Sequence, residues 1–299
     1  MHLQLPAILK CTYCGCEGLR LAENAELKVY NGEDSVESGA VHCPRCGCSY
    51  PIQDGIVNFI PVRPRSIGPA QWTNHFRLVA WGYERFWRKR ALTALGGRPW
   101  PPEEELATVV EMLVTPHPAG LTIHNEMAFY LDQGCSTAFY GRAIARAIIG
   151  GKLATGSASG HVVGVDNSWP MLQEARGFIQ RDGLTGKISL VRANVEKLPF
   201  IDAAFAGIAS GGSLNEFRHT AKALAEARRT LSPQGRGALM VQMQARGKTG
   251  AGINHLLSLS SGLHFFERDQ LNRYYQDAHF KVLEQIAEGL ITITRLAPE

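Results

Sequence analysis

LDQGCSTAFYGRA (Leu131–Ala143) is the stretch on which the reading of this chain turns. Apolar residues from Met127 run into the acid Asp132 and then Gly134, and the helical spacing of AFYGRAIARAI follows at once. A strand that ends in a glycine turn and opens a helix brings backbone N–H groups close to a ligand beyond the strand end. Dinucleotide-binding turns of this kind carry three glycines, whereas Ser136 and Ala138 stand at the second and third places here. A pyrophosphate needs that clearance, so a nicotinamide cofactor fits this turn worse than a cofactor without phosphate.

Downstream the alternation continues. HVVGVD (161–166), ISLVRAN (188–194), FAGIAS (205–210) and GALMVQM (237–243) read as strands. WPMLQEARGFIQ and AKALAEARRTL read as helices between them, and ERDQLNRYYQDA as a helix before a terminal strand pair that turns at Glu288–Gly289. Strands alternating with helices predict a mostly parallel α/β sheet covered on both faces, with its ligand outside the carboxyl ends of the strands. Those ends carry Asp132 with Gly134, then Asp166, then Asn194. An acid in the place of Asp166 can accept two ribose hydroxyls, and Asn194 can accept from an exocyclic adenine amine. The interval from Gly134 to Asp166 exceeds the usual ~20 residues, and GGKLATGSASG (150–160) supplies the excess as a loop.

Upstream lies a different composition. Six of the seven cysteines fall within the first 48 residues. CTYCG (11–15) and CPRCG (43–47) are near-copies of one knuckle, and four thiolates from two such turns satisfy a closed, structural zinc site. The expected ligands are Cys11, Cys14, Cys43 and Cys46, with His42, Cys16 and Cys48 as packing neighbours. The 28 residues between the pairs exceed ordinary ribbon spacing, and NGEDSVESG (31–39) is expected to be a loop between ELKVY and GAVHC. A module of this size buries too little to be comfortable alone, so the ion is expected to hold it. YPIQDGIVNFIP (50–61) predicts a strand broken by a tight Asp-Gly turn.

PVRPRSIGP (61–69) marks a linker, followed by amphipathic helical segments over 71–95 and 101–113. The expected division is a zinc ribbon over 1–62, linker and covering helices over 63–125, and the α/β domain over 126–299. WGYERFWRKR (81–90) interleaves aromatic and basic residues. It reads either as a nucleic-acid face or as a helix that packs its aromatics inward while the arginines snorkel.

LDQGCSTAFYGRAIARAI, VVGVDNSWPMLQEAR, LVRANVEKLPF and LAEARRTLSPQGRGALMVQMQ resemble, in order and spacing, the motifs of class I S-adenosylmethionine-dependent methyltransferases. Within these they look most like the branch of ubiquinone and menaquinone C-methyltransferases. CPRCGCSYPIQDGIVNFIP is similar to the zinc ribbon of zinc-containing ribosomal-RNA guanine methyltransferases and to small zinc-binding activators of other methyltransferases. The resemblance implies a Rossmann-like class I domain with a mostly parallel seven-stranded sheet, S-adenosylmethionine as cofactor, and a structural zinc. It implies cofactor contacts from Asp132, Gly134, Ser136, Asp166, Asn167, Asn194, Val195 and Tyr83, with Tyr83 and Trp81 closing over the sulfonium. Family members commonly hold glycine where Ser136 and Ala138 stand and aspartate where Asn194 and Ala206 stand.

Methyl transfer needs alignment of the acceptor, and a base only where the acceptor loses a proton. GGSLNEFRH (211–219), just past the fourth strand, offers Asn215, Glu216 and His219, and His264 lies farther on. Three acceptor classes stand open: a small quinone-like or phenolic molecule, an RNA base recognised through the ribbon, or none, in a non-catalytic binding protein. The formal charge of +4 permits nucleic acid without arguing for it. No apolar run is long enough for a membrane span, MHLQLPAILK is too short for a signal peptide, and the expected location is the cytoplasm.

Overall fold

The computed structural model describes residues 1–30, 32–60, 73–88, 90, 93, 95, 101–116, 120–153, 159–245 and 263–299. The proline-rich segment 61–69 and residues 154–158 of the glycine-serine run lie outside them.

The α/β region holds the seven strands that the motifs imply. These are β6 (Met127–Gln133), β7 (Ser159–Asp166), β8 (Ile188–Arg192), β9 (Phe205–Gly211), β10 (Leu231–Gln242), β11 (Phe280–Glu288) and β12 (Ile291–Pro298). They lie in the order β8-β7-β6-β9-β10-β12-β11, parallel except for β12, which runs antiparallel to both its neighbours. The order reverses at β6, so the turn at Gly134 sits at the switch point where a crevice opens. Helices α2 (Pro102–Leu113), α3 (Phe139–Ile149) and α4 (Trp169–Arg181) pack on one face around Val109, Ile144, Leu172 and Ile179. On the other face, α5 (Thr220–Thr230) and α6 (Arg268–Asp277) pack around Leu224, Leu271 and Tyr275. The residues of β6 are buried throughout, as a central parallel strand covered on both sides requires.

The N-terminal module extends this sheet. Its strands are β1 (Arg20–Leu21), β2 (Glu26–Tyr30), β3 (Glu33–His42), β4 (Ser49–Gln53) and β5 (Ile56–Asn58). β5 pairs in parallel with β8, Val57 opposite Val191, and β4, β3 and β1 follow antiparallel beyond it. Leu5, Ile8, Leu9, Val36, Val41 and Val57 share one core cluster with Val163, Val165 and Val191. Asp54 and Gly55 both adopt positive φ between β4 and β5, the expected tight turn.

Two expectations need correction. NGEDSVESG is largely not a loop, because Glu33 onward forms β3, paired with β2. Its interior is stabilised by burial of Val36 and by Glu37, which accepts from the Tyr30 hydroxyl (2.6 Å) and from Arg176 of α4 (2.7 Å). WGYERFWRKR is turned opposite to the packing reading. α1 (Arg77–Gly82) continues into a π-helical turn, Tyr83–Trp87, that sends Glu84, Arg85 and Arg88 toward the domain. Glu84 meets Arg142 (2.5 Å) and the Thr137 hydroxyl (2.6 Å), Arg85 meets Glu174 (2.8 Å), and buried Arg88 pairs with buried Glu105. Ion pairs with fixed partners hold these charges inward, and of the rings Tyr83 turns to the cavity while Trp81, Phe86 and Trp87 stay exposed.

Candidate functional site

A cavity opens at the carboxyl ends of β6 to β9. Its walls include Gly134, Ser136, Asp166, Asn167, Ala193, Val195 and Gly211, with Tyr83 and Trp87 from the covering segment. Gly134 has φ +68°, and a Cβ there would lie 2.6 Å from the Cβ of Ser213, whose hydroxyl donates to the Gly134 carbonyl at 2.6 Å. The first turn thus approaches the loop after β9 with no room for a side chain.

Ser136 (φ +50°) and Ala138 (φ +56°) hold the left-handed backbone that glycines would adopt freely. Such a conformation costs a non-glycine residue roughly 1–2 kcal/mol. Glycine would restore about 0.4–1 kcal/mol of unfolded-state entropy against that relief. Ser136→Gly is therefore expected to raise stability by about 0.5–1 kcal/mol in urea titration. Ala138→Gly is expected to be near neutral, because a buried methyl worth about 0.8 kcal/mol is lost with the strain. A destabilised Ser136→Gly would instead show that the side chain, whose Oγ lies 3.4 Å from the Met171 sulfur, holds the turn.

Asp166 accepts the Ser136 N–H on one carboxylate oxygen and the Ser168 N–H on the other, both at 2.8 Å. Asp166 lines the cavity, and each carboxylate oxygen retains acceptor capacity beyond these bonds, enough for a diol. Burial raises its pKa, opposed by the backbone N–H groups of Ser168 and Ser136. Ser168 also caps α4 by accepting from Met171 and donates its hydroxyl to the Asn74 carbonyl, which ties the covering segment to the turn. Asp132 lies behind the turn and accepts the Gly141 N–H at 2.7 Å. Burial pushes its pKa up to about 7 against that hydrogen bond. It props the start of α3.

Asn194 is exposed and its side-chain oxygen accepts the Glu196 N–H at 2.9 Å, while its neighbours Ala193 and Val195 supply the apolar wall. Tyr83 lines the cavity, and burial lifts its hydroxyl to about 12, so it remains a neutral ring. Trp81 is exposed against Phe86 and Arg85 and does not line the cavity.

The four acceptor-side candidates separate. Glu216 lines the cavity and accepts from the Asn74 side-chain amide at 2.8 Å; burial first, then the charge of Asp166, raises its pKa to about 8. Asn215 is a clamp: its amide donates to the Gln242 and His264 carbonyls and its oxygen accepts the Gln242 N–H, which fixes the loop after β9 to β10. His219 pairs with Glu196 on the surface (2.9 Å), and His264 is exposed with its ring against Phe266. Neither lines the cavity. Asn74, Phe217, Met240 and Gln242 are further residues of the wall. No local motif marks them, since they come from the covering segment, the loop after β9 and β10.

In the N-terminal module the sulfurs of Cys11, Cys14, Cys43 and Cys46 all lie within 4.8 Å of one another. Zn–S bonds of about 2.3 Å in a tetrahedron place sulfurs about 3.8 Å apart. The pairs Cys11–Cys46 (3.7 Å) and Cys14–Cys43 (3.5 Å) fit that spacing. The two knuckles repeat each other: Gly15 N–H to Cys11 and Gly47 N–H to Cys43, Cys11 N–H to Cys16 and Cys43 N–H to Cys48. Cys16 and Cys48 stand outside the cluster. The first knuckle rests on the loop beyond Asn194: Lys10 N–H donates to the Pro199 carbonyl and Lys197 Nζ to the Thr12 carbonyl.

Residues 131–235 match the family model described as a methyltransferase domain. A curated demethylmenaquinone methyltransferase from Lactiplantibacillus plantarum is 32% identical over 109 residues, 36% of this chain and 43% of that protein. The chain thus spans less than half the length of that relative. A candidate methyltransferase from Bacillus halodurans superposes with TM-score 0.51 at 16% identity, over 65% of this chain and 99% of that one. A chain from the complex of the Haloferax volcanii Trm112 methyltransferase activator with its candidate methyltransferase gives 0.52 at 16%, over 79% and 100%. With the switch-point cavity, the glycine turn and the sheet order described above, residues 131–235 match a methyltransferase domain and lie in a sheet with the Rossmann-like class I fold.

Proposed function

We propose that the chain methylates a small, apolar, hydroxylated aromatic acceptor of the quinol or phenol type. The observation that carries this reading is Glu216: a carboxylate in the cavity wall, oriented by Asn74, among Trp87, Phe217, Met240 and Leu263. Gly134, Asp166, Asn167, Ala193 and Val195 would hold S-adenosylmethionine, which supplies an electrophilic methyl on a sulfonium sulfur. A phenol becomes a strong nucleophile at oxygen or ring carbon when its hydroxyl proton leaves. Glu216 would take that proton from an acceptor seated against Trp87, Phe217, Met240 and Leu263. The likeness to a demethylmenaquinone methyltransferase supports an acceptor of this class.

An RNA acceptor requires cations facing phosphates. Residues 1–60 carry seven acidic and four basic side chains, a formal charge of −3, and their strands are joined to β8. That favours the ribbon as a brace over a landing surface.

The test supplies methyl-labelled S-adenosylmethionine to the protein with a cell extract, split into organic-soluble and RNA fractions. Label is expected in the organic fraction. Label in RNA would overturn the acceptor reading, and label in neither, without cofactor binding, would favour a non-catalytic protein. Glu216→Gln is expected to lower turnover about 10²–10⁴-fold. The wild-type rate should rise with pH to a plateau above about 8, a rise the variant lacks. A raised carboxylate pKa removes stability as pH climbs from the unfolded value of 4.5 through about 8. The variant should therefore melt higher than wild type at pH 9 and match it at pH 4.

A further inference from the structure

The covering segment is amphipathic in the inverted sense. A helix on a water-facing surface normally buries an apolar stripe and exposes its charges. Here the inward stripe is Ala80, Glu84 and Arg88, fixed by ion pairs to α2 and α3. The outward side carries Leu78 (82% exposed), Trp87 (67%), Phe86, Trp81 and Val79. The ion pairs prevent the segment from rolling to hide these side chains. Exposed Arg77 and Arg90 flank them, and neither has a partner among the described residues. Glu84, the one acid of this stretch, is drawn inside by Arg142. Trp87 belongs both to the exposed side and to the cavity wall.

We infer that this face docks on an anionic lipid surface, so that an apolar acceptor passes from lipid past Trp87 into the cavity; the inference rests on the small-molecule reading of the site. Two tryptophans with leucine and phenylalanine, rimmed by cations, are the composition that seats a helix at a membrane interface. A second copy of the face would oppose Arg77 and Arg90 to themselves with no anion between. A nucleic acid would make no use of Leu78, the most exposed apolar residue.

The experiment is flotation of the full-length, zinc-loaded protein with phosphatidylcholine vesicles, with and without phosphatidylglycerol. Binding to the anionic vesicles is expected, weakened by salt. Leu78→Ser with Phe86→Ser should lower it at least about tenfold while cofactor affinity and melting temperature stay unchanged. No flotation, equal flotation of the variant, or a soluble dimer that the same variant dissociates would overturn the inference. Flotation by a protein that labels RNA would support docking and sink the acceptor reading. Label in a soluble phenol with no flotation would sink docking alone.

Discussion

Serine in place of Cys11 or Cys43 is expected to abolish metal binding and unfold the N-terminal module. Small zinc modules gain on the order of 10 kcal/mol from the ion. Cys11 and Cys43 are buried while Cys14 and Cys46 lie toward the surface, so each substitution would leave one buried sulfur without its partners. The loss should not stop at residue 60. β5 is the edge partner of β8, Leu9 bridges Phe200, and Ile201 N–H donates to the Ile8 carbonyl. Removal of metal should therefore loosen residues 193–201, the loop that brings Ala193 and Val195 to the cavity. The measurement is hydrogen exchange with and without a chelator, alongside zinc content. Expected is loss of protection over 1–60 and 193–201, and weaker S-adenosylmethionine binding by calorimetry. Full protection in the metal-free protein would show that the shared core alone holds the module.

The second large effect is at Gly134. Valine there would place its Cβ 2.6 Å from the Cβ of Ser213 and 3.1 Å from the Phe217 ring, on a backbone with φ +68°. A left-handed residue costs roughly 1–2 kcal/mol and an overpacked contact about 1–3 kcal/mol more. The loop after β9 must move or the turn must open, and either change deforms the cofactor wall. Affinity for S-adenosylmethionine is expected to fall at least about 100-fold, close to 3 kcal/mol. Gly177→Ala is the control: it lies within α4, a Cβ there meets nothing within 4 Å, and it should add about 0.5–1 kcal/mol of stability. Unimpaired binding by Gly134→Val would mean the cofactor does not depend on this turn.

The periodicity of the chain was enough for much of this. Seven strands, four helices and the acids at the strand ends follow from local alternation, because the switch between periods of two and 3.6 is written residue by residue. The two cysteine knuckles were legible for the same reason, as each is a turn within five residues. Ser136 and Ala138 stood out by type, yet their left-handed backbone is a property of the fold.

What the sequence by itself determined is the class of the α/β domain, the four cysteines that cluster and the place of the glycine turn at the switch point. Only the tertiary structure decided that the N-terminal module continues the main sheet, that Asn215 clamps while Glu216 faces the cavity, and that Glu84, Arg85 and Arg88 turn inward. These outcomes depend on partners far away in the chain: Val191 for Val57, Gln242 for Asn215, Arg142 for Glu84. Burial and ion pairing are settled between elements, after each local pattern has already been satisfied.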